Sequence, residues 1–170
     1  ILKDNAKLKQ AELFTRKAIE LNPVHATYYY NLGAILIDIG KIREAEIYTR
    51  KAIKLKPDYT KAYYNLGIIL TDLGKLKEAE IYTRRAIELK SDYAEAYSNL
   101  GLILKDLGEL EEATLCYKKA IEFDKNFYKS IEGIGNIELS KGNYKDAILN
   151  IRKANGSICF NYDNPNLIIY

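Results

Sequence analysis

Apolar positions along the chain recur at helical spacing, and the whole pattern then recurs as a block. Tyr29, Leu32, Gly33 and Leu36 stand three and four apart, which places them on one stripe of a helix. The same set returns as Tyr63, Leu66, Gly67 and Leu70, and again as Tyr97, Leu100, Gly101 and Leu104. Gly40, Gly74, Gly108 and Gly142 follow these stripes, where a glycine in the left-handed conformation closes a helix. A second stripe comes next: Ala45, Tyr48, Ala52, Ile53 and Leu55, repeated as Ala79, Tyr82, Ala86, Ile87 and Leu89. Pro57 ends one such helix and Pro23 its predecessor, whereas Ser91 and Lys125 take the proline's place later. Each block therefore predicts two antiparallel helices joined by a tight turn, with Gly33 and Ala45 small where the helices approach closely.

Ala26–Tyr59 written over Thr60–Tyr93 gives identity at 23 of the 34 positions. The period is 34 residues without insertions, which places repeats at 26–59, 60–93 and 94–127 and a divergent terminal repeat at 128–158. Residues 1–25 match the last part of a unit, mainly its second helix, so the expectation is a fragment cut from a longer array. A hairpin of this length cannot bury its own apolar face and gains stability by stacking on its neighbours. Residues 159–170 lose the helical period yet remain apolar. They are expected to form a non-helical tail that covers the outward face of the last repeat.

These residues resemble the tetratricopeptide repeat (TPR) family: a large aromatic, Leu-Gly three residues later, then Ala, Ala and Pro in the second helix. Here the first aromatic is Tyr29, Tyr63 or Tyr97, and the second helix carries Thr49 or Thr83 where the family usually has an aromatic. The resemblance covers about residues 1–158. It implies an all-α fold, a right-handed α-solenoid of stacked antiparallel helical hairpins, whose first helices line a concave side.

Composition narrows the function. A net charge of +3 and no basic stripe interleaved with aromatics argue against a nucleic-acid partner. No apolar run reaches the roughly 18 residues a membrane span needs, so no membrane partner is expected and a cytoplasmic protein is. Charge is mildly polarised: residues 1–59 hold 11 basic and 7 acidic side chains, and 94–127 hold 4 and 7. Cys116 and Cys159 are too few for a disulfide framework, and His25 is the single histidine. Glu44/Glu46 and Glu78/Glu80 point different ways on a helix, which makes them poor acid–base partners. The expectation is a non-enzyme without cofactor or metal.

The stripe opposite the core of each first helix carries the candidate chemistry. Asn31, Asn65 and Asn99 form one polar row, and Asp38, Asp72 and Asp106 a second. An asparagine amide offers one donor and one acceptor group, as a peptide backbone does, so such a row suits an extended peptide. Three hydrogen bonds of about 0.5–1.5 kcal/mol each give only weak binding, so Tyr30 and Tyr64 must add apolar contact. Lys61 and Lys129 would set charge preference. The asparagine row is similar to the ladder in the TPR superhelix of O-linked N-acetylglucosamine transferases. It also resembles the carboxylate clamp of chaperone-binding TPR domains, but Gly133 stands where that clamp has arginine. The ladder is the better match. Asparagine at this position also suits inter-repeat hydrogen bonding, and both roles stand at this level.

Three functions follow. The first is an interaction scaffold that binds an extended peptide or a partner helix in the groove. The second is the substrate-delivering repeat region of a larger, glycosyltransferase-like enzyme. The third is a solenoid that self-associates through its apolar tail or uncapped ends.

Overall fold

The computed structural model describes residues 2–155, 158–161 and 164–169. Its helices are α1 (Leu2–Leu21), α2 (Ala26–Asp38), α3 (Ile42–Leu55), α4 (Thr60–Asp72), α5 (Leu76–Leu89), α6 (Ala94–Asp106), α7 (Leu110–Phe123), α8 (Tyr128–Ser140) and α9 (Tyr144–Asn155). Two short strands follow, β1 (Ile158–Asn161) and β2 (Asn164–Ile169), paired antiparallel with Ile158 opposite Ile169. The expected packing of the side chains of 159–170 lies outside the described residues. The chain divides into two compact units that meet at Ser91 and Asp92.

The four turn glycines close their helices as their positions require. Gly40, Gly74, Gly108 and Gly142 have φ of 77°, 71°, 83° and 79°. The Gly40 N–H donates to the Ile37 carbonyl at 2.9 Å and the Lys41 N–H to Leu36 at 2.8 Å. Both orphan carbonyls at the helix end are thereby satisfied, and the pattern repeats at the other three turns. Ala6 stands one period before Gly40, and α1 runs through it as helix. Between repeats, Lys56 before Pro57 is extended (φ −138°, ψ 91°). Lys90 and Asp124 take nearly the same conformation without a proline after them.

In the first unit Leu32, Leu36, Ala45 and Ile69 make a fully buried cluster, covered by Ile19, Ile42 and Leu73. Tyr29, Ala52 and Ala62 form a second, with Tyr48 and Ile53 against it. Leu32 and Leu36 supply the first helix of a repeat and Ile69 that of the next, so burial is shared between neighbours. Complete burial of one leucine contributes about 1.5–3 kcal/mol. The second unit repeats this with Leu100, Ile103, Leu104, Ile131 and Ile137. Gly33 has no room for a side chain, since a Cβ there would run into the Thr49 hydroxyl.

Candidate peptide-binding face

The expected site residues lie on first helices, and the structure treats them unequally. In the first unit, Asn31 and Asp38 of α2 and Lys61 and Asp72 of α4 are exposed. Tyr30, Tyr64 and Asn65 are half-buried. The Tyr30 hydroxyl and the Asn65 amide are hydrogen-bonded, and the Tyr30 ring lies 5.0 Å from that of Tyr59. Burial pushes the Tyr30 phenol above its ordinary value, Tyr59 adds to the rise, and Asn65 partly opposes it. The row therefore contains two kinds of asparagine: Asn31 faces solvent, while Asn65 joins one repeat to the next. Asp72 lies towards the turn between α2 and α3, lining a shallow cleft with Lys41 and Arg43.

In the second unit Asn99 is half-buried, and Leu102, Asp106 and Lys129 are exposed. The Asp106 carboxylate lies 3.3 Å from the Lys105 ammonium. Gly133, one period after Asn99, is buried beneath the ring of Tyr117. A Cβ at 133 would sit 2.5 Å from Tyr117 Cζ, and one at Gly101 would sit 2.7 Å from Cδ1. Thr49 and Thr83 occupy the position of Tyr117 in the preceding repeats. Where the aromatic returns, the asparagine row is interrupted by glycine because the ring needs the space.

Sequence reading missed a set of charged links between second helices. Arg16 donates to Glu12, to Glu44 at 2.6 Å and to the Tyr48 hydroxyl at 2.8 Å. Arg50 does the same one period later, with Glu46, with Glu78 at 2.6 Å and with Tyr82 at 2.8 Å. Lys41 and Lys75 complete the links by donating to Glu12 and Glu46. Burial opposes the charge on Arg50, but its hydrogen bonds to Glu78 and Glu46 outweigh that and raise its value. The signal was present in the recurrence of Arg16/Arg50 and Glu12/Glu46 at one period. It was invisible as chemistry because it depends on which helix lies alongside.

Among the described residues no cluster of His, Cys, Asp or Glu is arranged to hold a metal, and no helix is long and apolar enough to cross a membrane. Cys116 is buried in α7.

Tetratricopeptide repeat models match residues 26–59, 60–93 and 94–127. No curated protein matches the chain. Among solved structures, a crystal structure of MamA is 28% identical, with 89% of each chain covered and a TM-score of 0.80. YrrB, described as a TPR protein with an unusual peptide-binding site, is 29% identical over 90% of this chain and 79% of its own, with a TM-score of 0.72. MamA from Desulfovibrio magneticus RS-1 is 22% identical over 89% of this chain and 85% of its own, with a TM-score of 0.81, and adds support for the fold alone.

Proposed function

Because the chain belongs to the tetratricopeptide repeat family, we propose that it is a non-catalytic interaction scaffold whose first-helix face holds an extended peptide or a partner helix. The observation that carries this reading is the solvent-facing Asn31 beside Tyr30 and the half-buried Asn65, with exposed Lys61 on the same helix as Asn65. One amide is free to pair with a peptide backbone, the tyrosine ring offers apolar area, and the lysine favours an acidic or carboxylate group. Asn65 keeps hydrogen-bonding capacity after its contact with Tyr30, because an amide has two donors and two acceptor sites. Asn99, with Lys129 one repeat further on, provides the equivalent chemistry in the second unit. The likeness to YrrB supports a peptide as ligand.

The test is selection from a random peptide library on the intact protein, followed by calorimetry with Asn31→Ala, Asn65→Ala and the triple variant that adds Asn99→Ala. Circular dichroism establishes that each variant is folded. Binding that weakens about tenfold or more in the triple variant supports the site, the scale of two or three lost hydrogen bonds. Peptides that bind all variants alike would remove the asparagine row from the function. Tyr30→Phe separates the two roles of Asn65: it removes the inter-repeat hydrogen bond and leaves the amide available to ligand.

A further inference from the structure

The second helices carry a periodic feature on the side away from the core. Leu13, Ile47 and Ile81 occupy one position of α1, α3 and α5, and they are 52%, 65% and 65% exposed. Ile47 lies opposite the buried stripe of Ala45, Thr49 and Ala52 on α3. Four residues before these aliphatic side chains stand Lys9, Arg43 and Lys77, and four after them Lys17, Lys51 and Arg85, all exposed. The helical spacing puts each aliphatic between two cations on one face. Of these cations, Lys9, Lys17 and Arg43 pair with no acid among the described residues, whereas Lys77 pairs with Glu80, Arg85 pairs with Glu88, and the Lys51 ammonium lies 5.9 Å from the centre of the Tyr29 ring. Glu12 and Glu46 are turned sideways into the links to Arg16, Lys41, Arg50 and Lys75 and do not offset the outward cations.

Two clefts of the same construction lie along this face. One, of about 390 Å³, is lined by Lys9, Glu12, Ile39 and Lys41. The other, of about 520 Å³, has Arg43, Glu46, Leu73 and Lys75 at the equivalent positions, joined by Ile47 and Arg50. Each has a branched aliphatic residue in its lining and more cations than carboxylates at its edge.

We propose that the outward face of α1, α3 and α5 is a second docking surface, for an acidic amphipathic segment of a partner protein. Its carboxylates would meet the Lys9, Lys17 and Arg43 cations, and one bulky apolar side chain would enter each cleft. Charge complementarity selects the sign of the partner, and the repeat of the clefts selects a partner with apolar anchors on one face. A recessed cleft with an aliphatic floor suits a single protruding side chain better than the smooth surface of a bilayer. This surface is separate from the first-helix face and does not depend on it.

The experiment uses the intact protein and a fluorescein-labelled synthetic amphipathic helix of Glu, Ala, Leu and Phe, with a Gln-for-Glu version as control. Anisotropy should show saturable binding of the acidic peptide that weakens with salt, and much weaker binding of the neutral one. Ile47→Asp and Arg43→Glu should each weaken it by about tenfold, the scale of one lost anchor or one reversed charge. Asn31→Ala with Asn65→Ala should leave it unchanged. Arg43 is exposed, so Arg43→Glu remains decisive if Ile47→Asp is poorly folded. The proposal is overturned by absence of saturable binding, by equal binding of the neutral peptide, or by loss in the asparagine variants alone, which would place the peptide on the first-helix face. Phosphatidylserine vesicles that bind where the peptide does not would likewise overturn it in favour of a membrane surface.

Discussion

Gly133 should reverse the sign of its effect on stability according to the residue at 117. The Tyr117 ring is 3% exposed and lies in a slot between Gly101 of α6 and Gly133 of α8. Alanine at 133 gains about 0.8–1 kcal/mol of helix propensity over glycine. Its Cβ, however, would meet Tyr117 Cζ at 2.5 Å, Cε2 at 2.6 Å and Cε1 at 2.9 Å, far inside van der Waals contact. The ring cannot leave a buried slot, and overpacking of this kind costs about 1–3 kcal/mol. Gly133→Ala should therefore destabilise the protein by about 1 kcal/mol in net terms. Tyr117→Thr installs the residue that the two preceding repeats carry and costs about 3 kcal/mol in lost ring burial. In that background the collision is gone, and Gly133→Ala should stabilise by about 0.5–1 kcal/mol. The coupling energy is thus roughly 2 kcal/mol, well above the 0.3–0.5 kcal/mol expected of independent sites. Urea unfolding of the four proteins by far-UV circular dichroism measures it. Stacked repeats can unfold in parts, so the slopes of the four transitions must agree before free energies are compared. Equal effects of Gly133→Ala in both backgrounds would refute the claim that the tyrosine ring demands the glycine.

Thr49→Val should raise stability by about 1 kcal/mol in the same assay, because the Thr49 hydroxyl is buried without a hydrogen-bond partner and valine keeps its shape. Arg50→Ala should cost about 1–2 kcal/mol, since it removes a half-exposed ion pair and the guanidinium 5.2 Å over the Tyr82 ring; the loss should shrink in high salt. Glu12 is held below the ordinary glutamate value of 4.5 by hydrogen bonds from Arg16 and Lys41. Burial alone would raise Glu46, but Lys75 and Arg50 outweigh it and lower it also. A carboxyl lowered in the folded state contributes stability that is complete above its unfolded value and lost as pH falls through its folded one. Thermal stability should therefore drop on acidification below about pH 4.5, and less steeply in Glu12→Gln and Glu46→Gln.

The repeats at 26–127 and the helices within them were determined by the sequence alone. Each depends on residues within one turn or one hairpin of each other: the stripe of Tyr29, Leu32 and Leu36, or the Gly40 that must take positive φ. Such features are written locally and then written again every 34 residues, which makes them legible without coordinates. The turn after α5 already departs from that rule, because Lys90 is extended like Lys56 with no proline to hold it. The candidate site depends still more on tertiary structure. Periodicity places Asn31 and Asn65 on equivalent faces, but only packing leaves one in solvent and gives the other Tyr30 as partner. The same holds for Arg50, whose partners Glu78 and Tyr82 lie 28 and 32 residues away, and for Tyr117, which reaches two glycines on separate helices. A helical stripe says which side chains share a face. What lies across from that face is decided by how the helices stack, and hydrogen bonds, ion pairs and steric room all depend on that distance.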